Sequence, residues 1–307
     1  MTVDDADDDA VNDGRPLPTP GQRVSGILFP SEYILPGKPD ATAPATLQDT
    51  FRQTGFVLTK DLRLFAEGMN LQLQVLNDSS HSRYRTPAYA AIVGTWSRAH
   101  AALADACALI TRGSYASVPN LVRSACELIA AQHQLHREEM DEFTGWMLGH
   151  LKPDEEHKAF DVGLGHYFAG TALAADELLR TVYRPASDLG RPNFGATLLE
   201  IGPESNNARL AYTFADGSFH VGWAEIELGW LLRLAERQLA VAVHMPDVLN
   251  ITPETHEAYA TYARDVQTRL DDQNRARIEE VEQDGFKRWL IHNFRRQPSG
   301  APKKYLL

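Results

Sequence analysis

The sequence predicts a mainly α fold, a multi-helix bundle with a small inserted β-hairpin. Two observations predict it. Apolar residues recur at three- and four-residue steps through most of the chain from Phe56 to Leu270, the spacing that gathers them on one side of a helix. Positions 207–221 depart from that period, and there the pair Asp216-Gly217 separates two short alternating runs, a hairpin signal. The chain has 307 residues, 43% of them hydrophobic, enough to fill a core.

The elements follow in order. Positions 1–45 carry Asp4, Asp5, Asp7, Asp8 and Asp9 and then seven prolines from Pro16 to Pro44. This composition buries too little apolar surface to offset the entropy of ordering, so it reads as a largely disordered tail. Ile27-Leu28-Phe29 and Tyr33-Ile34-Leu35 are apolar enough to dock on the body. The acidic run lacks the central glycine and terminal glutamate of a calcium loop.

Positions 46–250 read as the helical bundle domain. Leu62, Leu64, Phe65, Met69 and Leu73 mark a first helix between Phe56 and Leu76. A second starts at Pro87, where proline is tolerated in the first turn, and ends near Arg112 with Gly113 just beyond. A third starts near Tyr115, with the stripe Val118, Leu121, Val122, Ala125, Leu128 and Ile129. A fourth is predicted from Asp154 to Tyr183, stopping at Pro185. The hairpin near 207–221 precedes a fifth helix from Gly222 to His244, apolar on nearly all faces and therefore the buried centre of the bundle. Positions 251–307 read as a long C-terminal helix and a basic tail. Thr252-Pro253-Glu254 supplies its N-cap and first turn, the helix runs on through the charged residues Asp271 to Asp284, and Gly285 breaks it.

Composition excludes several classes. A formal net charge of −11 opposes a wrapper of nucleic acid. Cys107 and Cys126 both sit in apolar helical patterns and read as small buried hydrophobes rather than a disulfide framework. No window approaches the roughly 18 uninterrupted apolar residues of a membrane span. An acidic start is the opposite of a secretory leader, so the expected setting is cytoplasmic.

On the third helix Arg123 and Glu127 stand four residues apart, opposite the apolar stripe and among Ala116, Ala130 and Gln134. That position calls for a second surface: another helix, another subunit or a ligand. The run Gly113-Ser114-Tyr115-Ala116, followed by Leu121-Val122-Arg123-Ser124-Ala125-Cys126-Glu127-Leu128, resembles the signature helix of uncharacterised bacterial all-α proteins related to the HEPN (higher eukaryotes and prokaryotes nucleotide-binding) superfamily. The resemblance covers roughly residues 85–245. In that pattern a later tyrosine and serine precede a histidine-proline pair. Tyr183 and Ser187 match, but Arg191 stands before Pro192 where histidine is expected.

The resemblance implies a helical bundle that often forms a homodimer, sometimes within phage-defence or toxin–antitoxin systems. It makes Arg123, Glu127, Tyr183, Ser187 and Arg191 a candidate polar pocket. The ribonuclease members place histidine four to six residues after arginine, and Arg123 stands ten residues before His133, outside that spacing. Two functions stay open: a non-catalytic interaction or ligand-binding module, with a protein partner or a second copy, and a hydrolase or ribonuclease acting from the polar pocket.

Other chemistry is sparsely marked. His133 with His136, and His157 with Asp161, stand at helical steps, but the duplicated Glu-x-x-His of bundle metal sites is missing, so no metal or other cofactor is expected. Glu225 and Glu236 share a helix face with Gly229, suited to acid–base work or to pairing with Arg233. Neither a nucleophile elbow nor a phosphate loop is present. The one basic region runs from Phe286 to the last residue, where Lys287, Arg288, Arg295 and Arg296 are interleaved with aromatics, and nucleic acid or another polyanion is expected only there.

Overall fold

The structure is a computed structural model that describes residues 28–80, 87–139, 141, 153–154, 159–160, 170–202, 205, 208–294 and 304–307. Its helices are α1 (Ala45–Val57), α2 (Thr59–Ser80), α3 (Pro87–Thr111), α4 (Val118–Gln134), α5 (Gly170–Ala175), α6 (Glu177–Leu189), α7 (Phe194–Ile201), α8 (Val221–Val243) and α9 (Pro253–Leu270). Its strands are β1 (Pro153–Asp154), β2 (Ala159–Phe160), β3 (Arg277–Gln283), β4 (Phe286–His292) and β5 (Tyr305–Leu306). The mainly α class with a small antiparallel sheet therefore holds. No helix among the described residues is long and apolar enough to cross a membrane.

The core forms around α8. Leu228, Leu231, Leu232, Leu234, Ala235 and Leu239 are fully buried, as expected of a helix apolar on nearly every face. Helices α2, α3, α4, α6 and α9 surround it. Helices α3 and α4 pair through a tight reversal at Gly113, whose φ of +73° closes α3. Ser114 N–H bonds Leu109 O (3.0 Å) and Gly113 N–H bonds Ile110 O (3.1 Å), satisfying carbonyls that the helix end leaves open. On α9 the fully buried Tyr262 lays its hydroxyl against Gly68 of α2, where a Cβ would collide with it. Cys107 and Cys126 are free and buried, and burial pushes the Cys107 thiol up to about 12.

Several expectations are corrected. The first helical pattern is preceded by α1, and Leu58 separates the two helices. The predicted fourth helix from Asp154 is not continuous: Pro153-Asp154 pairs with Ala159-Phe160 as a short antiparallel bridge, and the next described helix starts at Gly170. Asp176 then caps α6, its side chain accepting Leu179 N–H (3.0 Å). Pro185 does not end that helix. It lies within α6, which runs on to Leu189 at the cost of the one backbone bond proline cannot donate.

The hairpin is the largest correction. The described part of 207–221 forms turns with no strand, and the hairpin lies instead at 277–292, around a later Asp-Gly pair. Asp284 (φ 54°) and Gly285 (φ 78°) both adopt left-handed backbone, as a two-residue mirror turn requires, with Gln283 opposite Phe286. The last helix accordingly ends at Leu270, and the charged residues after it are strand β3. The final residues add β5 to the other side of β4, giving the order β3-β4-β5. The docking expected near the N-terminus is partial: Phe29, Tyr33 and Leu35 pack on the core, while Leu28 and Ile34 face solvent.

Two buried acids stand out. Asp61 of α2 is fully buried and accepts from Arg269 Nε (2.9 Å) and Nη2 (2.6 Å) of α9 and from Arg275 Nη1. Arg275, 3% exposed, also donates to Glu225 O (2.6 Å) of α8, and Glu225 Oε2 accepts Ala276 N–H (2.9 Å). Asp61→Ala strands Arg275 in the interior and should cost about 3–5 kcal/mol, read by urea unfolding; a loss below about 1 kcal/mol would show the network to be dispensable. Glu227 of α8 is fully buried, neither carboxyl oxygen has a hydrogen-bond partner among the described residues, and burial, with the charge of Glu200 adding to it, holds it protonated well above the usual carboxylate range. Its proton is bound more tightly in the folded than in the unfolded chain, so stability falls as pH rises above the unfolded carboxylate value. Glu227→Gln should therefore melt above the parent at pH 7.5, with the gap closing by pH 4.5; an equal gap at both pH values contradicts this.

Candidate functional site

The predicted polar pocket is built in part. Helix α6 crosses α4 so that Tyr183 reaches the Arg123–Glu127 pair. Arg123 Nε donates to Glu127 Oε1 (3.1 Å), and Tyr183 OH donates to the same oxygen (3.2 Å). Arg123 Cζ lies 5.8 Å from the centre of the Tyr183 ring, within cation–π range. Glu127 pushes the Arg123 guanidinium further toward its charged form. The other two candidates are not brought in. Ser187 is buried one turn further along α6, and Arg191 stands beyond the helix end, exposed, with Asp188 as its ion partner at 4.0 Å.

The cluster is partly exposed. The side chains of Arg123 and Glu127 are 39% and 43% exposed, so water screens their attraction. Glu127 Oε1 is occupied by two donors of its own chain, which leaves it poorly set to take a proton from a substrate.

The other sequence candidates scatter. His136 is not a core histidine: its Nε2 sits 3.0 Å from Asp247 Oδ1. His157, Asp161, Arg295 and Arg296 lie outside the described residues, and no group of three or more His, Cys, Asp or Glu side chains among the described residues is placed to hold a metal. Lys287 and Arg288 are on strand β4 and not on a helix, opposite Glu282 and Val281, and Lys287 Nζ pairs with Glu280 at 2.7 Å. Arg288 and His292 do meet the arginine-to-histidine spacing of the ribonucleases, four residues apart, which sequence reading overlooked. They lie on a strand, where His292 Nε2 is 2.5 Å from Glu279.

What sequence reading missed is a cleft of about 530 Å³ between α6, α8, the end of α9 and the C-terminal sheet. Arg180 and Arg184, one turn apart, line it from α6, Arg233 from α8, and Arg275 and Arg277 from the segment entering β3. Against these five arginines stand three carboxylates, Glu225, Glu279 and Glu280, a formal surplus of two positive charges on a chain whose net charge is −11. Trp230, Trp289, Ile226, Leu270 and Ile278 supply apolar wall.

Not all five arginines are available. Arg275 is committed to Asp61, and Arg184 Nη1 pairs with Glu280 Oε2 at 2.5 Å. Arg184 also stands 6.0 Å from the centre of the Trp289 ring, while Trp289 Nε1 donates to Asp188 (2.8 Å), so the indole is held on two sides. Among the described residues Arg180, Arg233 and Arg277 have no carboxylate within ion-pair distance. Arg233 carries the sharpest demand. Burial opposes its charge more strongly than Asp271 and Glu236 support it. A guanidinium cannot relieve that by losing its proton, so it gains from an incoming anion.

Arg123→Ala should change stability by no more than about 0.5 kcal/mol, the worth of an exposed pair one turn apart, in chemical denaturation. A loss above about 2 kcal/mol would mean that the cluster is a structural seam. Comparisons with protein-family models, with curated proteins and with solved structures find no match for this chain.

Proposed function

We propose that the protein is a non-catalytic ligand-binding module, HEPN-like in its bundle, whose ligand is an anion held in the arginine cleft. One observation carries this reading: Arg180, Arg233 and Arg277, on three different elements, line one cleft, and among the described residues none has a carboxylate in ion-pair distance. A volume of about 530 Å³ falls within the range of small-molecule sites. Homodimerisation and a cytoplasmic setting belong to the same proposal; the first rests on the resemblance of the α4 helix, the second on two buried free cysteines.

What weighs against the competing hydrolase reading is Glu127, whose Oε1 already accepts two hydrogen bonds from the chain itself. The polyanion reading of the C-terminal segment loses one of its cations, since Lys287 is paired with Glu280. The cleft becomes the stronger candidate for negative charge.

The test is a melt at constant ionic strength. Replacing chloride by millimolar citrate, sulfate or phosphate should raise the melting temperature of the parent by several degrees, as ligand binding to the folded state does. The double variant Arg180→Ala, Arg233→Ala should lose most of that rise. Equal melting temperatures in all four salts would remove the proposal.

A further inference from the structure

The cleft's walls carry more information than its charge. Its cations stand on α6, α8 and the start of β3, which places guanidinium groups around a volume rather than along one line. A planar carboxylate can be satisfied by the flat fork of a single arginine. A tetrahedral anion presents acceptor oxygens in several directions and suits donors on several elements. Arg180, Arg233 and Arg277 together can answer both charges of a phosphomonoester once its second proton is lost, near pH 6.

Part of the lining is apolar and flat. Trp289 lies on β4 with its indole nitrogen anchored on Asp188 and Arg184 over its ring, and Trp230, Ile226 and Ile278 line the same cleft. An inorganic ion leaves this surface wet. A ligand with an aromatic body on its phosphate covers it.

We infer that the cleft takes a small phosphomonoester with a flat aromatic body, the phosphate among Arg180, Arg233 and Arg277 and the ring against Trp289. This rests on the anion reading above and narrows it. Charge and ring are then read by separate residues, so that each can be removed alone.

Calorimetric titration of the full chain with phenyl phosphate, inorganic phosphate, phenyl sulfate and citrate tests it. At pH 7.5 phenyl phosphate should bind about tenfold tighter than inorganic phosphate, because only it buries a ring on the indole. Its affinity should fall severalfold from pH 7.5 to 5.5 as the dianion takes up a proton, while phenyl sulfate, a monoanion at both values, should bind weakly and without that trend. Trp289→Leu should bring phenyl phosphate down to the level of inorganic phosphate and leave the latter unchanged. Arg233→Gln should weaken both phosphates, with the helical circular dichroism signal confirming that each variant folds. Citrate binding without phosphate binding would overturn this inference and leave the anion reading standing. No heat with any of the four anions would overturn both. Equal affinity for phenyl and inorganic phosphate would overturn the assignment of the ring to Trp289.

Discussion

A single fully buried carboxylate holds together the half of the molecule in which the cleft lies. Asp61 on α2 accepts from two arginines, Arg269 near the end of α9 and Arg275 five residues into the turn that follows. Arg275 passes the connection on to α8 through Glu225 O, and Glu225 fixes the backbone of Ala276 in return. The chain thus leaves α9 and enters β3 at a point set by three helices. Charges so deep in the interior are costly unless they are paired and hydrogen-bonded, and here Asp61 draws its partners from α9 and from the turn after it. The entry of β3 onto the bundle is fixed by this network, and the gap beside it is the cleft.

The rest of the cleft follows from that placement. With β3 anchored at Ala276, its partner β4 brings Trp289 to the side of α6 that carries Arg180 and Arg184. Glu280 ties the two together by pairing with Arg184 from the helix and Lys287 from the neighbouring strand. Arg233, on the α8 wall, receives no such partner. The arrangement therefore leaves its unmet charge on the inside of the gap, where a bound molecule rather than bulk water would have to answer it.

Much of the fold was legible because helical periodicity is strong from α2 to α9. The ends of α3 and α9 were visible in Gly113 and Thr252-Pro253, which act through local backbone chemistry. The errors have equally local causes. Three Asp-Gly pairs occur, at Asp13, Asp216 and Asp284, and the alternating residues beside Asp216 looked more strand-like than the glutamate-rich stretch before Asp284. The left-handed backbone at Asp284 and Gly285, together with a basic partner strand for the acidic β3, decided the matter. Pro185 reads as a helix end from sequence, yet packing of Ala186 and Leu189 carries α6 past it. Of the proposed polar pocket, the triad Arg123, Glu127 and Tyr183 was legible because two of its members sit on one helix turn. The arginine cleft was not, since its residues are spread from Arg180 to Trp289 and only tertiary structure gathers them.

Strand β3 is one margin of its sheet, and no further strand among the described residues pairs with its outer side. Such a margin offers a row of unused backbone donors and acceptors to any other extended chain, including another copy. Three of its seven residues are glutamates, Glu279, Glu280 and Glu282, all exposed, so two such strands approaching side by side would bring six like charges together. Two of the three also face the cleft, where they temper the arginines. The same side chains thus guard the open side of the sheet against self-association and keep the neighbouring hollow from attracting anions indiscriminately.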